Sequence, residues 1–160
     1  NLPAKDKKSS PKYQSITKEQ IVKHILPNQS GDVEIIAGEY FGTKGPAHTF
    51  TPINMMNVKL NIEGVVSFQF PNSYNTCALV IEGDVKINER EAGRNSLILF
   101  ANDGEEFAIK AKEKSVLLIL SGAPILEPIA AHGPFVMNTR EELIQAFEDF
   151  QRGKFGTLED

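Results

Sequence analysis

MNVKLNIEGVVSFQF, residues 56–70, is the stretch on which the fold turns. Met56, Val58, Leu60 and Ile62 alternate with Asn57, Lys59 and Asn61. That period of two belongs to a strand with one buried face. After a turn at Glu63-Gly64, Val66, Phe68 and Phe70 alternate with Ser67 and Gln69 in the same way. The pattern, alternating or continuously apolar, continues from residue 33 to residue 121. Ala78–Ile81, the Gly83-Asp84 turn and Val85–Asn88 predict a hairpin by their turn chemistry. Leu97–Phe100, the Asn102-Asp103-Gly104 turn, Phe107 with Ile109, and Val116–Leu120 extend the series. Short strands punctuated by Gly, Asn and Asp predict a sandwich or jelly-roll β-barrel. Residues 17–26, TKEQIVKHIL, predict a short helix behind Thr17 that Pro27 ends. No internal repeat is present.

Downstream of the strands stands HGPFVMNTREELIQAFEDFQRGKFG, residues 132–156. Thr139 followed three residues later by Glu142 is a capping box. Leu143, Ala146, Phe147 and Phe150 recur at helical spacing and make one apolar stripe. Arg152 suits the negative end of the helix dipole, and Gly153 suits a left-handed C-cap. One helix over about 139–152 is predicted, with Pro134–Met137 as an apolar lead that staples it to a core.

Composition sets limits on function. The 160 residues suffice for one domain with a real core, and 41% hydrophobic with 24% charged residues is ordinary for a globular protein. No apolar run approaches the length of a membrane span, and no signal-peptide pattern opens the chain. The single cysteine, Cys77, excludes an internal disulfide and suits a reducing compartment, so a cytoplasmic protein is expected. Residues 1–23 hold six lysines against Asp6 and Glu19, a local charge of +4, which leaves −8 for the remainder of a chain whose net charge is −4. Ser9, Ser10 and Pro11 interrupt any periodicity there, so residues 1–27 are expected to be a basic arm or interdomain linker and residues 28–160 the domain. An acidic body does not bind a phosphate backbone, so nucleic acid is not an expected partner.

Several segments resemble the pirin family in order and spacing. They are NLPAKDK (1–7), GEYFGTKGPAHTFTPINMMNVKL (38–60), IEGDVKIN (81–88) and LSGAPILEPIAAHGPFVMNT (120–139), the last leading into the acidic helix. Pirins consist of two cupin barrels, and this chain resembles the second barrel with its linker; its start at Asn1 rather than Met suits a fragment or a processed chain. The resemblance implies a mainly β fold: a cupin jelly-roll barrel with one C-terminal helix. It also implies that iron is held by an N-terminal domain absent here. Full-length relatives are iron-binding quercetin 2,3-dioxygenases or transcription cofactors. The role expected for this chain is metal-free structural support of that N-terminal cupin, with no catalysis of its own. The alternative from another class is a stand-alone, self-associating interaction module. Expected partners are thus the N-terminal cupin, a second copy in a homodimer, or a regulatory protein.

The residues themselves supply no catalytic set. Metal-bearing cupins carry an H-x-H pair and a Glu on adjoining strands; here the corresponding strand reads Asn75-Thr76-Cys77, and the Asn102–Glu106 turn stands where a further His is expected. His24, His48 and His132 show no ligand spacing. Cys77 sits in an apolar strand without a neighbouring cation, and Ser121-Gly122 lacks the glycine of a nucleophile elbow. Gly38, Gly42 and Gly45 lead into no helix or GK[ST] ending, so they read as turn glycines. Glu105 and Glu106 point to opposite strand faces, and Glu142 of the Glu141-Glu142 pair is already a cap. No catalytic, cofactor or metal residue is assigned. Phe135, Met137, Phe147 and Phe150 are the candidates for an interface.

Overall fold

A computed structural model of the chain describes residues 1–10 and 12–156; Pro11 and residues 157–160 lie outside the described residues. The strands are β1 (Val22–Ile25), β2 (Gly31–Ala37), β3 (Glu39–Tyr40), β4 (Thr43–Lys44), β5 (Ile53–Leu60), β6 (Val65–Gln69) and β7 (Asn75–Glu82). They continue with β8 (Val85–Ile87), β9 (Arg90–Ala92), β10 (Leu97–Leu99), β11 (Glu106–Ala111), β12 (Ser115–Gly122), β13 (Ala130–His132) and β14 (Phe135–Met137). Helix α1 is Arg140–Gln151. The chain divides into two compact units: residues 16–124, and residues 1–15 together with 125–160.

Residues 16–124 form the barrel. Its larger sheet runs β1-β2-β5-β12-β7-β10 and its smaller one β6-β11-β8-β9, all paired antiparallel. Period-two alternation turns Val33, Ile35, Met56, Val58, Leu117 and Ile119 inward from the large sheet, and Val66, Phe68, Val85 and Ile109 inward from the small one. Together they fill one continuous core, as the 56–70 pattern requires. Ile62 is the exception. The turn after Leu60 carries it, Glu63 takes φ 60, and the Ile62 side chain is 62% exposed.

Two further expectations are corrected. Residues 17–26 are not a helix: β1 pairs with β2, placing Val22 opposite Ile35 and His24 opposite Val33. A ten-residue helix must meet a nucleation cost that its few hydrogen bonds do not recover, whereas the ladder extends a sheet already formed. Nor do residues 78–88 form a hairpin. β7 belongs to the large sheet and β8 to the small one, so Gly83-Asp84 is the corner between them. Gly83 has φ 79, and a Cβ there would lie 2.4 Å from Ser115 Oγ, so only glycine fits. The hairpin comes later, between β8 and β9, around Asn88 at φ 49.

In the second unit, β13 and β14 pair as a short hairpin and α1 packs on it. Thr139 Oγ1 accepts from the Glu142 N–H at 3.2 Å, and Glu142 Oε2 accepts from the Thr139 N–H at 3.2 Å. The capping box is formed as expected. At the other end Gly153 takes φ 68; its N–H donates to Phe150 O and that of Lys154 to Asp149 O, a Schellman closure. Only the first part of the expected arm is tied into this unit, since β1 (Val22–Ile25) belongs to the barrel. The Ala4 N–H donates to Glu127 Oε2 at 2.8 Å, and Lys7 Nζ donates to Val136 O at 3.2 Å.

On the outer face of the large sheet, Glu34 is buried among donors. Lys59 Nζ lies 2.7 Å and Lys23 Nζ 2.9 Å from Oε1, and Asn57 Nδ2 donates to Oε2 at 2.6 Å. Burial opposes ionisation, but the hydrogen bonds from Lys59, Lys23 and Asn57 outweigh it and hold the carboxyl at about 2. A depressed carboxylate stabilises the fold above its unfolded pKa, and that stability is lost as pH falls toward the folded value. Glu34→Gln is therefore expected to flatten the acid limb. Melting temperature measured from the ordinary carboxylate value of 4.5 down to about 2 should fall more for the parent than for the variant. Parallel curves would show that Glu34 carries no such linkage.

Candidate functional site

A jelly-roll barrel does its chemistry, where it does any, on the inward faces of its strands. Here those faces meet as packed rings. Phe68 and Phe107 are cross-strand partners on β6 and β11, with centroids 5.4 Å apart. Phe100, just beyond β10, lies 4.2 Å from Phe107, and Tyr40 on β3 lies 5.2 Å from Phe68. Phe70 completes the cluster at 5.9 Å from Phe68. Tyr40 donates its hydroxyl to Ser67 O at 3.1 Å, which satisfies the one polar group among these rings. Burial pushes the Tyr40 phenol above its ordinary pKa, so it stays a neutral donor.

The segment expected to replace the metal motif is resolved residue by residue. Of Asn75, Thr76 and Cys77, only Thr76 shares the inward face with buried Ala78 and Val80. Its hydroxyl lies 2.8 Å from Ser121 Oγ, an inward residue of β12. One hydroxyl donates to the other, and among the described residues no imidazole or carboxylate is hydrogen-bonded to either to act as a base. Cys77 lies half-buried on the outer face of the sheet, and burial pushes its thiol up; a poorly ionised thiol is a poor nucleophile at neutral pH. Asn102, in the turn that stands for the second motif, donates to Tyr74 O at 3.2 Å and serves the backbone. Glu106 opens β11 on its exposed side, while Gly38 and Gly42 flank the small β3–β4 turn with Gly45 just beyond it.

The histidines occupy separate aromatic contacts. His24 stands edge-on to Tyr40 at 5.1 Å and stacks on Phe41 at 5.6 Å, His48 meets Phe50 at 6.1 Å, and His132 meets Phe147 at 5.7 Å. Among the described residues no three His, Cys, Asp or Glu side chains converge on a point that could hold a metal ion. Iron, the metal the family resemblance implies for the complete protein, therefore finds no donor set on these inward faces. A thioether, two hydroxyls and phenyl rings are not its ligands. No step through a metal is derived for this chain.

Cavities adjoin both the rings and the helix. A cleft of about 620 Å³ runs along the β6 edge, lined by Phe68, Phe70 and Phe107 with Glu39, Tyr40 and Glu106 among others. A second, of about 560 Å³, lies within the smaller unit between the arm and α1, where Lys7, Lys8 and Lys154 face Glu142 and Asp149. Met137 lines that cavity. The other interface candidates form an aromatic group of the same unit: Phe135 lies 4.8 Å from Phe147 and 6.0 Å from Phe150. Phe155, not singled out in the sequence, stacks on Phe135 at 5.8 Å. Of the four candidates only Phe150 is largely exposed.

Two facing antiparallel sheets with a core of rings and a capped C-terminal helix define a cupin barrel. The chain belongs to the pirin family: residues 55–156 match the pirin C-terminal cupin domain. A crystal structure of quercetin 2,3-dioxygenase from Acinetobacter baumannii superposes with a TM-score of 0.88 at 37% identity, over 99% of this chain and 56% of that one. Human pirin is 33% identical over 98% of this chain and 55% of its own length. A Pseudomonas aeruginosa relative, provisionally named a quercetin 2,3-dioxygenase, is 34% identical over 97% of this chain and 54% of its own. The chain thus spans about half the length of the relatives it matches. Among the described residues no helix is long and apolar enough to cross a membrane.

Truncating the central ring tests the packing. Phe107→Ala removes the side chain that touches Phe68, Phe70 and Phe100 together. It should cost about 3–5 kcal/mol of folding free energy in a urea titration. A loss below about 1 kcal/mol would mean that the cluster collapses around the gap or is wet.

Proposed function

We propose that this chain is the non-catalytic barrel of a two-barrel pirin-type protein, in which it supports a metal-bearing N-terminal cupin and helps shape the entrance to that site. The observation that carries the reading is the inward face of the barrel. The inward positions present Phe68, Phe70, Phe107, Thr76 and Ala78, with the Thr76 hydroxyl bonded to that of Ser121. Coverage of about half of each relative supports the same division of labour. In the complete protein the chemistry would be dioxygenation of a flavonol such as quercetin, at iron held by the other barrel. Cytoplasmic residence belongs to the same proposal, on the single cysteine.

A stand-alone interaction module is the second reading, and one feature favours it. Phe150 and Phe155 are exposed at 63% and 42% beside Phe135 in the smaller unit, an aromatic surface that a regulatory protein or a second copy could cover.

Iron separates a supporting barrel from an enzyme. A metal that binds only the native state raises its melting temperature. Titrating this chain with Fe(II) under anaerobic conditions should leave the melting temperature unchanged, and quercetin should persist in its presence with oxygen. A rise in melting temperature together with quercetin cleavage, both reversed by a chelator, would overturn the proposal.

A further inference from the structure

The two-residue turn between β3 and β4 holds an unexpected residue for its shape. Phe41 has φ 44 and Gly42 has φ 78, and positive φ at both central positions is what a type I′ turn requires. Asn-Gly meets that requirement at little cost, whereas a bulky side chain at positive φ is strained. Burial does not offset the strain, because Phe41 stays 77% exposed. The ring stacks on His24 at 5.6 Å and meets Tyr40 edge-on at 4.8 Å. These contacts fix it where it lines the cleft of about 620 Å³ along β6. Strain kept at an exposed residue beside a cavity points to a use for that residue.

The cleft has the parts a small ligand needs. Strand β6 is the edge of the small sheet and pairs only with β11. The Phe70 N–H donates to Glu105 O on the β11 side. By alternation, Ser67 and Gln69 turn their backbone groups the other way, toward the free edge, and both residues line the cleft. Ser67 O is already taken by the Tyr40 hydroxyl. Too few groups remain to hold an added strand, but enough to orient a small molecule. The volume also lies within the range of small-molecule sites, roughly 300–1,000 Å³. Charge on the lining has one sign. Glu39 and Glu106 line the cleft, and among the described residues no lysine or arginine does. Lys44 approaches Glu39 at 3.8 Å with both side chains exposed, a pairing too weak to cancel the carboxylate. Such a lining repels anions and draws in cations, and an exposed ring adds to that attraction. We propose that this cleft is a binding site for a small aromatic cation, held against the Phe41 ring and neutralised by Glu39 and Glu106. The site belongs to the barrel alone and is independent of the two-barrel reading.

The probe is N-methylquinolinium, a planar cation, set against 2-naphthoate, an anion of nearly the same size. Titrated into the chain and followed by backbone amide chemical shifts, the cation should move Ser67 and Gln69 saturably. The anion should leave them where they are. Glu39→Gln with Glu106→Gln changes two exposed residues, so the fold should persist while the cation binds several-fold more weakly. Phe41→Asn separates binding from structure. Asparagine suits the turn, so the melting temperature should hold or rise while affinity falls about tenfold. A ring with a structural role alone would give the reverse, a lower melting temperature and unchanged affinity, and that result would overturn the proposal. Equal binding of cation and anion would do the same, as would an affinity that neither variant changes. Shifts confined to residues outside the cleft, or no saturable shift at millimolar cation, would also count against it decisively.

Discussion

The contact between Phe68 and Phe107 fixes how the barrel is built. These rings join neighbouring strands of the small sheet, and through Phe100 they reach the end of the large one. Burial of such side chains is worth several kcal/mol each, and the strands around them can be short because the rings bridge the gap between sheets. The same rings present no ligand or base to the inward face, and Tyr40, Phe68 and Phe107 line the cleft beside them together with Glu39 and Glu106.

The outer face of the large sheet divides along a line between β5 and β12. On one side Glu34 gathers Lys23, Lys59 and Asn57 into a network that stays ionised far below the ordinary carboxylate range. On the other side leucines stand in register without a polar group between them. Hydrogen-bonded charges tolerate water and gain from it, whereas aligned leucines gain only when something covers them. The division gives the sheet a charged flank and an apolar flank on one surface.

Much of this was legible in the chain. Period-two alternation over 56–70 marks β5 and β6 and their inward residues, and the helix can be read end to end because both caps use side-chain chemistry local to the sequence. What eluded reading depends on distant partners. TKEQIVKHIL has helical spacing, and only the presence of β2 alongside makes its second half a strand. Gly83-Asp84 and Asn88-Glu89 carry similar turn signals, and the sheet to which β8 returns decides which of them closes a hairpin. Hairpin β13–β14 is three residues a side, too short for a periodicity to register. For the site, the absence of ligand spacing was legible and so was the aromatic content, but not that Thr76 alone of residues 75–77 faces inward.

The bond from the Ala4 N–H to Glu127 spans 123 residues of sequence, and the same carboxylate accepts from Asn138 Nδ2 at 2.9 Å. Glu127 thus clasps the opening of the chain to the segment just before the helix, with the entire barrel sequence looped between. Closing so long a loop in an unfolded chain is entropically costly, and a barrel that folds first shortens it to the distance between two fixed ends. The clasp thereby holds the two segments that flank the barrel sequence in one compact unit.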